Sequence, residues 1–309
     1  MKKTLTLPLA IASVVLAYTL LPRRKRLNAG DVAVVTGGSR GLGLALAHRF
    51  GRAGMKLVLA ARNVDELDLA RDGLLRSRDV TNEDDILLVV CDLTDPHQAH
   101  GLIDQALRAF SRVDLLLNNA GVIEVGPVQD QPLEAYRRAM ETNFFAALHT
   151  IHAAMPHMLG RGSGAICNIA SIGGKIPVPH LAPYIASKFA LTGFSETLHA
   201  ELRQYGVRVT TVCPGLMRTG GEAHAHFAGR VEEEQQWFNL GARTPLVAAS
   251  VIHAVNRIYN AVQAGCAEIT ITPQAWLAAR IHGLAPGMSQ AVAGLANQYV
   301  LPEPLDHCA

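Results

Sequence analysis

Paired cysteines, excess charge of either sign and internal repeats are all missing from this chain of 309 residues, and each absence removes a class of function. The formal charge is only +2 at neutral pH, and the basic excess sits in one run, Arg23-Arg24-Lys25-Arg26. The remainder offers no broad cationic face, so no nucleic-acid partner is expected. The five cysteines, at 91, 167, 213, 266 and 308, form no CxxC pair, and three of them lie in or beside apolar runs. That pattern fits small buried hydrophobes in a reducing compartment, not a disulfide framework. Without repeats, heptads or low-complexity tracts, a scaffold architecture has no support. Histidine is plentiful, at 13 copies, but His149, His152, His157, His224 and His226 lack the carboxylates or thiolates of a zinc site, and no metal is expected.

What is present begins with an 18-residue stretch free of charge, 4–21, which as a helix spans about 27 Å and matches a bilayer's hydrocarbon thickness. A membrane anchor followed by a basic flank, together 1–27, is the expected reading, with the body on the cytosolic side. A cleaved signal peptide behind Lys2 and Lys3 and a buried helix are the alternatives.

From residue 31 onward, short β-rich runs alternate with longer helical ones, the pattern of crossover units building a parallel sheet. Strands are expected at 32–36, 56–60, 86–91, 113–118, 164–170, 208–213 and 268–271. Several are apolar on both faces, as a sheet covered by helices on each side requires. The expected fold is therefore α/β, a Rossmann-like doubly wound parallel sheet of about seven strands spanning 28–272.

Between the first strand and the helical run that starts at Leu44 stands Thr36-Gly37-Gly38-Ser39-Arg40-Gly41-Leu42-Gly43. A strand turning through glycines into a helix lets backbone N–H groups approach a pyrophosphate, and the helix N-terminus adds partial positive charge. The second strand ends in Ala60-Ala61-Arg62, with no carboxylate at its tip to hold an adenosine ribose. Arg62 and Arg40 instead favour a 2′-phosphate, so NADP(H) is expected over NAD(H); Arg62 as a solvated helix-start residue and Asp65 as a ribose ligand for NAD(H) are the alternatives. Asp92-Leu93 after the third strand can receive an adenine, or Asp92 can cap the next helix. Asn118-Asn119-Ala120-Gly121 ends the fourth strand with small residues that permit close backbone approach, although an ordinary turn reads the same way.

The catalytic signal is Tyr184-Ile185-Ala186-Ser187-Lys188, with Ser171 upstream. Tyrosine and lysine four apart project from one helix face. A ketone receiving hydride develops an alkoxide that must be protonated, and an unperturbed phenol has a pKa near 10. An ammonium about 5 Å away contributes roughly 3 kcal/mol at an effective dielectric near 20, so the phenol is expected to be acidified by about two units. Tyr184 would then act as general acid or base, and Ser171 would hold the substrate oxygen.

Together these residues make the chain resemble the short-chain dehydrogenase/reductase family, of the branch called classical. Thr36-Gly37, Gly41, Gly43, Asp92, Asn118 to Gly121, Asn143, Ser171, Tyr184, Lys188 and Pro214-Gly215 carry the resemblance, over about residues 30–220. Leu42 stands where that family usually has isoleucine. The resemblance implies that Asn143 supports a water-mediated proton relay to Lys188 and that Lys188 also binds the nicotinamide ribose. It further implies that Pro214-Gly215 passes beside the nicotinamide, that Thr219 touches its carboxamide, and that the protein forms a homodimer or homotetramer.

Substrate choice is expected to lie after Thr219. Residues 220–241 read as a mobile helical lid, in which Glu232-Glu233-Glu234 form a solvated face and Trp237 and Phe238 either line the pocket or pack the lid onto the core; His180 is expected at the substrate entrance. The extension 273–309 is apolar, with Arg280 the single formal charge over 273–301, and is long enough for two short helices. The expected activity is an NADP(H)-dependent oxidoreductase interconverting ketone or aldehyde and alcohol on a hydrophobic, lipid-like substrate, steroid- or retinoid-like or a long-chain ketoacyl or sphingoid ketone. A non-catalytic NADP(H)-binding redox sensor and an enoyl reductase are the alternatives.

Overall fold

The computed structural model describes residues 26–218, 220–243 and 248–305. In chain order the first half contains β1 (Val32–Thr36), α1 (Gly41–Gly51), β2 (Lys56–Ala61), α2 (Val64–Arg76), β3 (Ile86–Val90), α3 (Pro96–Phe110), β4 (Leu115–Asn118), β5 (Glu124–Val125), α4 (Leu133–Met140) and α5 (Ala146–Arg161). The second half contains β6 (Gly164–Ile169), α6 (Ala182–Leu202), β7 (Val207–Cys213), β8 (Met217–Arg218), β9 (His226–Phe227), α7 (Val231–Arg243), β10 (Ala249–Ser250), α8 (Val251–Ala264), β11 (Glu268–Thr270), α9 (Pro273–Leu284) and α10 (Pro286–Tyr299).

Seven strands form one parallel sheet in the order β11-β7-β6-β4-β1-β2-β3. All seven expected runs are present, each ending within two residues of its predicted limits. The alternation of a strand explains why these runs are apolar throughout. Ala33 and Val35 of β1 join one core with Leu57, Leu59, Leu115 and Leu117, under α1 and α8. Val32 and Val34 join a second core with Val58 and Leu116, under α3 and α5. Side chains on both faces are buried, so a polar residue on either face would forfeit about 2 kcal/mol of burial or more.

β1 pairs with β2 on one side and with β4 on the other. The strand order reverses at this point, and the crossovers leave in opposite directions. A crevice therefore opens at the carboxyl ends of β1 and β4, where open α/β sheets hold ligands.

Two local features aim side chains into that crevice. α4 runs into α5 through a π-helical turn, Glu141–Phe145, which places Asn143 inside the fold with 1 % exposure. Beyond β7, the chain makes two short parallel ribbons, β5 with β9 and β8 with β10, on either side of α7.

The membrane-anchor expectation is corrected. Among the described residues no helix is long and apolar enough to cross a membrane. The stretch 4–21 on which that expectation of a membrane-anchored, cytosol-facing body rested lies outside the described residues. The apolar segment after β11 folds as two helices, α9 and α10, which expose Trp276, Leu284, Met288, Val292 and Tyr299.

Candidate active site

The crevice is a cavity of about 990 Å³, at the upper end of the usual ~300–1,000 Å³ range for ligand sites. Its lining runs from the glycine turn, through Ala60 to Asn63 at the tip of β2 and Asp92 after β3, to Asn143, Tyr184 and Lys188.

The turn is built for backbone approach. Gly37 has φ of +61°, and a Cβ added at Gly43 would stand 2.0 Å from the Gly37 carbonyl oxygen and 2.5 Å from Asn119 Nδ2. Only glycine fits at Gly43, and the left-handed backbone and close neighbours favour it at Gly37. Arg40 precedes α1 without a side-chain cap, so the first amides of that helix are left facing the cavity with the positive end of its dipole. Thr36 fixes the opposite wall. Its Oγ1 accepts from the Asn119 and Ala120 amides at 2.9 and 3.1 Å, while Asn119 Nδ2 donates to the Thr36 and Gly37 carbonyls at 3.1 and 3.2 Å. Asn118 ties β4 to β6 by donating to Asn168 Oδ1 at 2.9 Å. These shapes fit a dinucleotide pyrophosphate laid across the turn.

At the far end, the exposed Arg62 and the half-exposed Arg40 both border the cavity. Arg40 is already engaged: its Nη1 lies 2.7 Å from Glu66 Oε1, and Ser39 Oγ donates to Glu66 Oε2 at 2.8 Å. Asp92 also serves a local turn, its Oδ1 accepting from the Thr94 amide and hydroxyl at 3.0 and 2.9 Å, so its structural and ligand-facing readings coexist.

At the other end Tyr184 and Lys188 meet, with the Lys188 ammonium 5.7 Å from the centre of the Tyr184 ring. Ser171 Oγ and Tyr184 Cε1 both lie within 3.5 Å of the place a Cβ on Gly173 would occupy. Lys188 Nζ donates to the Ile169 carbonyl at 2.9 Å. Asn143 Oδ1 accepts from the Val122 amide at 2.8 Å, and its Nδ2 donates to the Val122 carbonyl at 3.0 Å and to Ser187 Oγ at 2.9 Å. A Cβ on Gly121 would meet Asn143 Oδ1 at 2.8 Å and Lys188 Nζ at 3.6 Å, so this glycine keeps the space between them open.

The electrostatics differ from the expectation. Burial pushes the Tyr184 phenol above its usual range, an effect that the Ser171 hydroxyl opposes and the neighbouring Cys213 thiol reinforces. Burial also lowers Lys188 from 10.5 to about 8. Desolvation of the phenolate outweighs the help of the Ser171 hydroxyl, so acidification of the tyrosine is not a property of these residues alone.

Other predicted site residues are engaged in packing contacts. A Cβ on Gly215 would meet Thr272 Oγ1 at 2.7 Å, so this glycine packs on the start of α9, and Pro214 accepts from the Ile172 amide at 2.7 Å. Met217, Gly220 and His224 border the cavity instead. Thr219 lies outside the described residues. Trp237 and Phe238 pack with Val125, Phe227, Ile123 and Val178 in an apolar cluster that includes Tyr184.

The acidic run before them is corrected too. Glu232 and Glu233 are exposed, but Glu234 is 0 % exposed: its Oε1 lies 2.7 Å from His180 Nδ1 and its Oε2 accepts from Trp237 Nε1 at 2.5 Å. Helical spacing explains this, because Glu234 shares a face with Trp237 and Phe238, three and four residues on. His180 is thereby buried beneath α7 with φ of +63°, its carbonyl accepting from the Gly126 amide at 2.7 Å.

Comparison with known proteins gives the same picture. Residues 31–226 match the short chain dehydrogenase family model. The chain is 36 % identical over 220 residues to a dehydrogenase/reductase SDR family protein 7-like of Anopheles gambiae, covering 70 % of this chain and 69 % of that protein. It is 32 % identical over 259 residues to the dehydrogenase/reductase SDR family member 7B of Bos taurus, covering 83 % and 78 %. Among solved structures, a short-chain dehydrogenase/reductase from Burkholderia phymatum in complex with NAD superposes with a TM-score of 0.76 at 26 % identity, over 90 % of this chain and 98 % of that one. L-Sorbose reductase from Gluconobacter frateurii, complexed with NADPH and L-sorbose, gives 0.68 at 27 % identity, over 79 % and 95 %.

Proposed function

This chain belongs to the short-chain dehydrogenase/reductase family of nicotinamide-dependent oxidoreductases, and from that premise we propose that it uses NADP(H) to interconvert a ketone or aldehyde and an alcohol on a hydrophobic substrate. The observation that carries this reading is the convergence of Tyr184, Lys188 and the glycine turn on one cavity. When bound there, the cofactor supplies or accepts the hydride.

The chain's own residues handle the proton. Tyr184 Oη gives a proton to the substrate oxygen in reduction and takes it back in oxidation. Ser171 steadies that oxygen by hydrogen bonding, and Lys188 supplies a proton store at Nζ, held toward the site by the Ile169 carbonyl. The lowered Lys188 suits this role, because a group near pH 8 exchanges protons readily close to neutrality. Asn143, fixed at both ends of its amide, borders the same open space beside Gly121.

NADP(H) is supported by Arg62 at the tip of β2, where Ala60 and Ala61 leave no carboxylate for a ribose, and by Arg40 in the glycine turn on the same cavity. A hydrophobic substrate is supported by the Val125, Phe227, Trp237 and Phe238 cluster around Tyr184. The intact Ser171, Tyr184 and Lys188 set argues against a sensor without catalysis. Purified protein is expected to oxidise NADPH with apolar ketones, and Tyr184→Phe to lose turnover while binding NADPH as before. Undiminished turnover in that variant would overturn the mechanism.

A further inference from the structure

Glu66 sits where an anion is not expected if the cavity's distal end serves only to hold a phosphate. It lies in the first turn of α2, its backbone amide donating to the Asn63 side chain at 3.1 Å, so its position is set by the cap of its helix. Its two carboxylate oxygens take different donors, Arg40 Nη1 at 2.7 Å and Ser39 Oγ at 2.8 Å. Ser39, Arg40, Arg62 and Glu66 all border the same end of the cavity. A guanidinium and a hydroxyl side by side are the donors that a phosphate monoester would recruit.

We infer that Glu66 is a specificity-determining residue, an internal counter-anion that occupies the donors of a 2′-phosphate and thereby sets the ratio of NADPH to NADH binding. The inference rests on the NADP(H) reading above. Arg40 and Glu66 are both partly exposed, at 49 % and 31 %, so their pairing is weak enough to be exchanged for a dianion. NADPH must displace Glu66 from Arg40 and then tolerate a carboxylate beside its phosphate. NADH displaces nothing, leaving Arg40 and Ser39 satisfied. Glu66 thus weakens NADPH selectively and keeps the site open to both cofactors, with Arg62 on the cavity wall retaining the preference for NADPH.

The test is equilibrium binding, read from nicotinamide fluorescence, of NADPH and NADH to the full chain as wild type, Glu66→Gln, Arg40→Gln and the double variant. Glu66→Gln keeps the shape and removes the charge. It is expected to tighten NADPH about tenfold, equivalent to about 1.4 kcal/mol, and to change NADH less than about twofold. In the Arg40→Gln background the same change is expected to tighten NADPH less than about threefold, because the donor that Glu66 competes for is gone. NADPH affinity that is unchanged or lower in Glu66→Gln overturns the inference, as does a tightening that persists in full without Arg40. A wild type that binds NADH more tightly than NADPH would instead overturn the cofactor assignment, an outcome separable from the response to Glu66→Gln.

Discussion

Replacing Lys188 with methionine should make the protein more stable while destroying its activity. Lys188 is 5 % exposed, and burial lowers its pKa from 10.5 to about 8. At about 1.4 kcal/mol for each tenfold change in proton affinity, keeping the ammonium charged inside the fold costs about 3 kcal/mol at pH 7. The sign follows from the direction of the shift. Between about pH 8 and 10.5 the unfolded chain binds more protons than the folded one, so the wild type gains stability as pH rises through that window, and the penalty is in full force below it. Methionine fills the space of the lysine stem without a charge, but it strands the Ile169 carbonyl, which costs about 1 kcal/mol. The net expectation is a gain of about 2 kcal/mol at pH 7 for the cofactor-free protein, measured by urea unfolding. By pH 9.5 that advantage should shrink by about 2 kcal/mol, because most of the wild-type penalty is then relieved. A Lys188→Met protein less stable than wild type at pH 7, or an advantage that does not change with pH, would refute the reasoning. Its expected loss of turnover makes it an instance of stability exchanged for function.

Two other substitutions probe the remainder of the site. Gly43→Ala drives a methyl to 2.0 Å from the Gly37 carbonyl, where nothing flexible can yield; NADPH affinity should fall at least about 100-fold and stability by about 2 kcal/mol, and a wild-type dissociation constant would exclude the close-approach argument. Glu234→Ala strands the His180 and Trp237 donors beneath α7. Amide hydrogen exchange in α7 should accelerate by about 100-fold, roughly 3 kcal/mol, while exchange in β1 and β4 stays as before; unchanged α7 protection would show that the buried carboxylate does not hold the helix down.

The sheet was legible because each strand carries apolar residues for two cores, a signal that neither composition nor local polarity obscures. The glycine turn, Asn118, Tyr184 and Lys188 were legible for a related reason: their spacing encodes a geometric demand. Glu234 was misread because three consecutive glutamates look solvated, although the apolar pair three and four residues later marked the face that turns inward. The Tyr184 phenol was misjudged because attraction between neighbours can be counted from a sequence, whereas the depth of burial that opposes it cannot. Thr36, which organises the Asn119 and Ala120 amides, and Glu66, which engages Arg40, gave no periodic signal, since each acts through residues distant in the chain. The two-residue ribbons were equally silent, being too short for alternation to register.

Those ribbons decide how the cover over Tyr184 can yield. His226 and Ala228 donate to Ile123 and Val125 just before α7, and Ala249 donates to Leu216 just after it. A ribbon on each side of α7 therefore ties its neighbouring chain to the rest of the fold, so displacing this cover breaks backbone hydrogen bonds at one ribbon or the other. Lifting α7 also breaks the contact of its own Glu234 with His180.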